Sequence, residues 1–449
     1  MNHSKKAKLT EGPVGRLLAG MTVPMFFGVL GLVIFTLVDT FFIGKLGTLE
    51  LAAISFTFPV VMVLGSFTLG LGEGVSSVIS RSIGSGNHHK VQELTTDSLI
   101  MGTVLGVVFA ASGFLTVEPL FRALGAHPDV MPLVKKYMYI WYSGVILMPV
   151  SMIGNNAIRA TGDIKTPTIL MLVAIVVNLA LDPLLIFGMG PFPEMGIGGA
   201  ALAAVIARVS AVIWALVILL KRDDLLPFFG RPFGVVAASI KPVLYLGVPA
   251  ACTRIIMPVA SGIIVKMISG FGPEAVAGYG VSSRVEFFAL TVVVSLSTVL
   301  GPFIGQNWGA GKKERALSGI GISKKFSMIW GFGMIFVLGF LARPIAGIFN
   351  DDPVFISTVT AYLRIVPVGY GLFGILIITA MTLTVINKPF YGTGLMATQM
   401  LVLCLPMAYI GERFFGINGI FISISLAYVL SGILANRVLK YVLGQQLKN

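Results

Sequence analysis

Apolar residues run along this chain in blocks of about twenty, and the polar residues collect in short stretches between them. A helix of about twenty residues rises roughly 30 Å, enough to cross the hydrocarbon core of a bilayer. The blocks predict about twelve spans, near residues 17–42, 50–72, 95–117, 134–156, 167–188, 196–219, 239–263, 276–302, 321–343, 357–383, 392–411 and 417–439. The fold class this implies is an all-α membrane protein.

Composition agrees. The chain is 56% hydrophobic and 11% charged, against roughly 25% charged residues in a soluble domain. The loops and tails are too short to hold a water-soluble domain. The N-terminal stretch "MNHSKKAKLTEGPVGR" is basic and polar and leads into a long span with no small-residue cleavage site, so no signal peptide is read there.

A net charge of +13 raises the question of nucleic acid, and the placement of the charge answers it. Assigning alternate loops to opposite sides puts 21 Lys and Arg on one side, Lys5, Lys6, Lys312, Lys313 and Arg315 among them, and 8 on the other. That asymmetry is a topology signal. It expects a protein of the plasma (inner) membrane with both termini in the cytoplasm and no nucleic-acid partner. Cys252 and Cys404 both fall inside apolar spans and read as small core residues. His3, His88, His89 and His127 lie in the tail or in loops, which argues against a histidine metal site in the membrane. "GAGKKER" lacks the spacing and the Ser/Thr of a phosphate-binding loop, so the chain does not hydrolyse ATP itself.

Shifted by 225 residues, the chain aligns with itself. Pro24 falls on Pro249, "RSIGSGNHHK" (81–90) on "QNWGAGKKER" (306–315), Pro128 on Pro353 and Tyr137 on Tyr362. After small gaps "GIGGA" (196–200) meets "GINGI" (416–420). Each half is a unit of six spans. Six is even, so both halves enter the membrane in the same direction. The expected architecture is two parallel six-helix lobes related by a pseudo-two-fold along the membrane normal, with the substrate path between them near mid-bilayer. The domains expected are an N-lobe over 1–220, a linker over 221–242 and a C-lobe over 243–449.

The duplicated halves differ in their acids. Asp39, Glu73 and Asp182 lie in N-half spans, where the C-half has roughly Ile264, Thr298 and Leu405. A carboxylate needed only to fold the unit should recur in both copies, whereas an ion-coupling carboxylate need appear once. Asp182 stands in the apolar run "VVNLALDPLLIFG" (176–188), directly before Pro183. At helical spacing Met171, Asn178 and Asp182 share one stripe. By topology, Asp39, Asp182, Tyr137 and Tyr139 all approach the outer half of the N-lobe, and Glu73 belongs to the cytoplasmic rim. An acid in hydrocarbon is protonated, paired or ion-bound. Carboxylate, amide and hydroxyl oxygens at Asp39, Asn178 and Asp182 suit a proton or Na⁺. A bland alternative has Asp182 bonding only Asn178 and the backbone freed by Pro183.

Other intramembrane polar groups read differently. Arg254, Arg284 and Glu286 form an inter-helix salt bridge or line a cavity, and Arg208 is structural. Pro24 with Gly28 and Gly31 makes the first span bendable. The glycines of "GSFTLGLGEG" serve close helix packing. The 20 Met and 31 Phe are mostly core, with a minority suited to line a cleft for varied apolar ligands.

The twin loops "SRSIGSGNHHK" and "GQNWGAGKKER", with "RATGDIKTP" (159–167), resemble those of the multidrug and toxic compound extrusion (MATE) transporters, over essentially the whole chain. "VDTFFIGKLG" and "NLALD" are similar to the DinF-like branch. The NorM-like branch has a glutamate in the seventh span where this chain has Met257, which speaks against a C-lobe cation site. The resemblance implies efflux of cationic, amphipathic drugs driven by protons or sodium, with Asp39, Tyr137, Asn155, Asn178 and Asp182 in the N-lobe cavity. It also implies that Pro24 bends the first span when Asp39 changes protonation. The family's glutamate near the start of span one is missing, and Ala200 stands where it has a threonine; both losses favour H⁺ over Na⁺.

The function expected is a monomeric secondary antiporter with no cofactor beyond its coupling ion, H⁺ or Na⁺. Its substrate cavity comprises Tyr137, Tyr139, Asn155, Met171 and Asn178, its coupling site Asp39, Asn178 and Asp182, and its hinge Pro24 and Gly28. The alternative is a lipid-linked precursor flippase of the same broad superfamily, which would want cationic side chains for a diphosphate head group. An enzyme is not expected, because no catalytic pair or H-E-x-x-H motif occurs in the spans.

Overall fold

The computed structural model describes residues 7–226 and 232–448. Lys5, Lys6, His3, Arg231 and linker residues 227–231 lie outside the described residues. Among those described, every regular element is helical: α1 (Val14–Gly44), α2 (Thr48–Gly84), α3 (His88–Ala123), α4 (Met131–Gly144), α5 (Leu147–Ala160), α6 (Lys165–Phe187), α7 (Ile197–Val217), α8 (Phe233–Ile268), α9 (Pro273–Gly309), α10 (Lys313–Phe349), α11 (Pro353–Ile365), α12 (Tyr370–Val385), α13 (Pro389–Ala397) and α14 (Leu405–Lys448).

Four of the twelve expected spans do not appear as separate simple helices, and each departure has a local cause. The fourth is α4 and α5, bent by 45°. Pro149 has no N–H to offer the carbonyl of Val145, so the ladder breaks four residues before it. The Met148 amide bonds the Val145 carbonyl instead, at 3.0 Å. The tenth span is broken likewise by a 3₁₀ turn, Val366–Gly369, containing Pro367. The helical run Pro389–Gln446 has 58 residues, far longer than one crossing needs. It turns at Gly416, where φ is 59° and ψ −141°, so it makes two spans. Most other helices extend well past the apolar windows, because polar ends such as His88–Glu93 continue the helix beyond the hydrocarbon.

The duplication is written in the backbone. Left-handed or glycine-only torsions recur at the 225-residue offset: Gly47 (φ 153°) and Gly272 (105°), Gly86 (73°) and Gly311 (72°), Gly162 (91°) and Asn387 (67°). Gly196 (57°) and Gly416 (59°) match after the gap. Only glycine adopts such torsions freely, and Asn tolerates the left-handed one at Asn387.

By contacts the chain falls into two units, and the division runs through the interior of two helices. One unit comprises residues 1–9 and 23–251, the other 10–22 and 252–449. The switch occurs beside Pro24 in α1 and beside Pro249 in α8, the pair that the repeat superposes. In the first unit, α8 enters against α2 at backbone distance. A side chain on Gly74 would meet the Val243 carbonyl at 2.6 Å, and one on Gly247 would meet Leu71 Cα at 2.8 Å. The glycines of "GLGEG" are thus packing residues, as lipid-embedded helices require. The unit's core gathers Phe121, Met138, Trp141 and Tyr142. In the second unit, Lys312 Nζ donates to the Thr10 carbonyl (3.0 Å) and Arg315 to that of Glu11 (2.7 Å), fixing the chain ahead of α1. Its most enclosed helices are α9 and the α11–α12 pair, with Phe303, Tyr362, Tyr370 and Phe421 among its largest buried side chains.

Cys404 is buried as expected, but Cys252 is exposed; both are free thiols. No group of three or more His, Cys, Asp or Glu able to hold a metal ion occurs among the described residues.

The Gly74 contact makes a prediction. Gly74→Val should overpack the α2–α8 contact at a cost of about 1–3 kcal/mol and lower the thermal midpoint of the solubilised protein. Gly333→Ala, where no atom lies within 4 Å of the added carbon, should leave the midpoint unchanged. Equal midpoints would contradict the contact.

Candidate functional site

Helix α6 touches α1 at two glycine positions. Gly28 and Gly31 clear space on α1: a Cβ on Gly28 would meet Thr168 Cγ2 at 3.1 Å, and one on Gly31 would meet Leu172 Cδ2 at 2.8 Å. Asp39 lies eleven residues beyond Gly28, about three turns, and so shares its face of α1. Asp182 lies seven residues, about two turns, beyond Ile175, which also touches the Gly31 position. The faces of α1 and α6 that make these contacts carry, further along each helix, the two aspartates. Gly28, expected as a hinge, also lies at a point of close approach.

Asp182 is fully buried and Asn178 nearly so. Oriented by its partners, the Asn178 amide donates to Asp182 Oδ2 at 3.0 Å, and its oxygen accepts from the Ala204 amide at 2.9 Å. Asp182 Oδ1 has no hydrogen-bond partner. Pro183 does free a backbone group here, but Asp182 does not cap it. Asp39 is half-buried and lies within electrostatic reach of both Asp182 and Tyr137. Tyr137 is buried on α4. The Arg208 guanidinium on α7 sits 4.9 Å from the centre of the Trp141 ring, within electrostatic reach of Tyr137. One of its terminal nitrogens is buried and unpartnered, and it forms no ion pair with either aspartate. Sequence reasoning set Arg208 aside as structural; its spacing on an otherwise small-residue helix gave no sign of Tyr137 or Trp141.

Other expected residues fall elsewhere. Tyr139, two residues from Tyr137 and so on the opposite face, is 42% exposed and stacks on Phe114 at 5.9 Å. Met171 is on the Asp182 stripe but eleven residues away, about 16 Å along the helix. Its sulfur accepts from Arg159 at 3.4 Å, so it belongs to the α5 end. Asn155, one turn before Arg159 on α5, is buried with an unpartnered Oδ1. Met171 therefore lies well away from Asp182 along the helix.

In the second unit, Glu286 makes no salt bridge with Arg254 or Arg284. It accepts from Tyr362 and, at 2.8 Å, from Tyr428, while Arg284 is exposed. Acids are therefore not confined to the first half. The tyrosines come from helices 76 and 142 residues distant, which no local pattern discloses.

A doubled six-span frame with two acids in the spans of its first unit is the arrangement expected of a membrane transporter. The MatE family model matches residues 24–184 and again 249–410, beginning at the two repeat-related prolines. The chain belongs to this family, whose members are transporters and not enzymes. It is 36% identical over 425 residues to a protein of Shewanella oneidensis named FAD transporter, covering 95% of this chain and 94% of that one. It is 26% identical over 430 residues to a multidrug export protein of Staphylococcus saprophyticus, covering 95% and 93%. Among solved structures it resembles a MATE transporter of Vibrio cholerae in its bent form, with a TM-score of 0.91, 29% identity and 99% of each chain covered.

Removing the amide that orients Asp182 should be costly. Asn178→Ala leaves a buried carboxyl without its partner, a penalty of about 1–3 kcal/mol, and should depress export strongly at unchanged protein level. Tyr139→Ala should export like the parent. Cell-based efflux assays compare them, and the opposite order would relocate the site.

Proposed function

We propose that the protein is a proton-driven antiporter that exports organic compounds from the cytoplasm, with Asp39 and Asp182 as its coupling pair. The observation that carries this is Asp182 Oδ1, buried, unpartnered and facing the field of a second carboxyl. Two such groups cannot both be charged at low cost in a membrane interior. Proton uptake relieves that cost, and its release allows a cation to be held in turn. Sodium fits less well, since the donors gathered at Asp182 are one amide and one neighbouring carboxyl. The loop charges support a plasma-membrane protein with cytoplasmic termini.

For substrate, the acids favour cationic, amphipathic compounds, in keeping with the relative named a multidrug export protein. A second reading is export of flavin adenine dinucleotide, named in the 36% identical relative. The unpartnered Arg208 nitrogen beside Trp141 supports it, since a guanidinium suits phosphate and an indole suits a planar ring. The same guanidinium would suit the diphosphate that the flippase alternative requires.

Proteoliposomes with imposed ΔpH or ΔNa⁺, each alone, and with ethidium or FAD as the probe, test both parts. ΔpH alone should drive transport of one probe, and Asp39→Asn and Asp182→Asn should each abolish it. Transport under ΔNa⁺ alone, or full activity in both variants, would refute the coupling assignment. Ethidium moving without FAD supports the first substrate reading, and FAD without ethidium the second.

Two titrating acids also bear on charge balance. If two protons exchange for one monovalent cation, one charge moves, worth about 2.3 kcal/mol per 100 mV. A potassium diffusion potential at zero ΔpH should then drive ethidium transport; no response would mean one proton per cation.

A further inference from the structure

The second unit holds an acid that the coupling pair does not explain. Glu286 lies thirteen residues into α9, about 20 Å along a helix that is itself among the most enclosed in the protein. It is only 8% exposed. Both carboxyl oxygens are taken by phenols. Tyr428 Oη on α14 donates to Oε1 at 2.8 Å, and Tyr362 Oη on α11 donates to Oε2.

The surrounding shell is aromatic. Tyr279 of α9 meets Tyr362 edge-on at 5.7 Å, Phe421 meets Tyr362 at 5.0 Å, and Phe373 stacks on Tyr428 at 4.1 Å. The titratable groups that face Glu286 are Tyr279 on its own helix, Tyr362 on α11, Tyr370 on α12, Tyr428 on α14 and Cys404 in the π-helical turn before α14. α10 contributes none, and no Lys, Arg or His pairs with the carboxyl among the described residues. Tyr370 Oη is buried and unpartnered.

We propose that Glu286 is a proton-binding site of the second unit, clamped by Tyr362 and Tyr428, whose protonation changes how α9 is tied to α11 and α14. A permanent charge at this depth, with no cation beside it, is expensive. A purely structural brace between phenols is served by an amide, which carries no such cost. The hydrogen-bond count differs between the two protonation states. The carboxylate accepts from both phenols. The acid has one O–H of its own to donate, and the oxygen that carries it becomes the poorer acceptor, which favours a turned phenol that accepts the O–H instead. Proton binding and release therefore reach two other helices through two hydroxyls. This site goes beyond the Asp39–Asp182 assignment and stands without it.

The test is pH-difference infrared spectroscopy on the full-length protein in lipid nanodiscs. The parent should show a carboxylic-acid carbonyl component that disappears as pH rises. Glu286→Gln should lack that component, and Asp182→Asn should keep it. Tyr428→Phe should retain it at a shifted frequency, since one hydrogen bond to the carboxyl is gone. A folded Glu286→Gln protein with the parent's spectrum overturns the proposal. Should Glu286→Gln fail to fold, an unshifted component in Tyr428→Phe overturns it equally. Failure of Asp182→Asn to change transport would sink the coupling pair and leave this result intact.

Discussion

Inside a bilayer no water is available to satisfy a stray N–H or carbonyl, so each backbone group must find its partner within the protein. That requirement forces helices through the hydrocarbon and makes each interruption informative. The bend before Pro149, the 3₁₀ turn at Pro367 and the reversal at Gly416 lie where proline removes a donor or glycine permits an otherwise closed torsion. Close helix contact follows from the same medium. With lipid as apolar as leucine, helices gain by approaching at Gly70, Gly74 and Gly247, where backbones meet directly.

Polar chemistry is costly in this setting, and the two units meet the cost differently. In the first, a carboxyl is half-satisfied by one amide and faces a second carboxyl. In the second, a carboxyl is saturated by two phenols inside aromatic rings. A half-satisfied group is sensitive to what enters its surroundings, whereas a saturated one is sensitive to what its partners do. The arginine at position 208 adds a third solution, in which an aromatic face shields a guanidinium that has no counter-ion in contact.

Much of this was legible in the sequence because membrane helices advertise themselves by length and because the repeat is global. The spans, the duplication, the family resemblance and the intramembrane position of Asp39 and Asp182 all follow from patterns within one span or at one fixed offset. Tyr139 and Met171 stand apart from Asp182 for a geometric reason. Two residues along a helix reverse the face, and a shared stripe fixes direction without fixing distance. The phenols on Glu286, and Trp141 beneath Arg208, depend on contacts between helices far apart in sequence, where a single chain offers no periodicity to read. Cys252 looked buried because it lies in an apolar run, but in such a run the lipid-facing side is as apolar as the core.

The division of α1 beside Pro24 and of α8 beside Pro249 has a consequence for how the chain is made. Each unit borrows the opening turns of a helix whose remainder belongs to the other. The first unit is incomplete until residues 233–251 have left the ribosome, although its other spans are already in the membrane by then. The second cannot finish without 10–22, which were synthesised first and must wait for it. A chain severed between the halves would yield two fragments, each lacking a piece of its own unit and carrying a piece of the other's. Such fragments are complementary by construction.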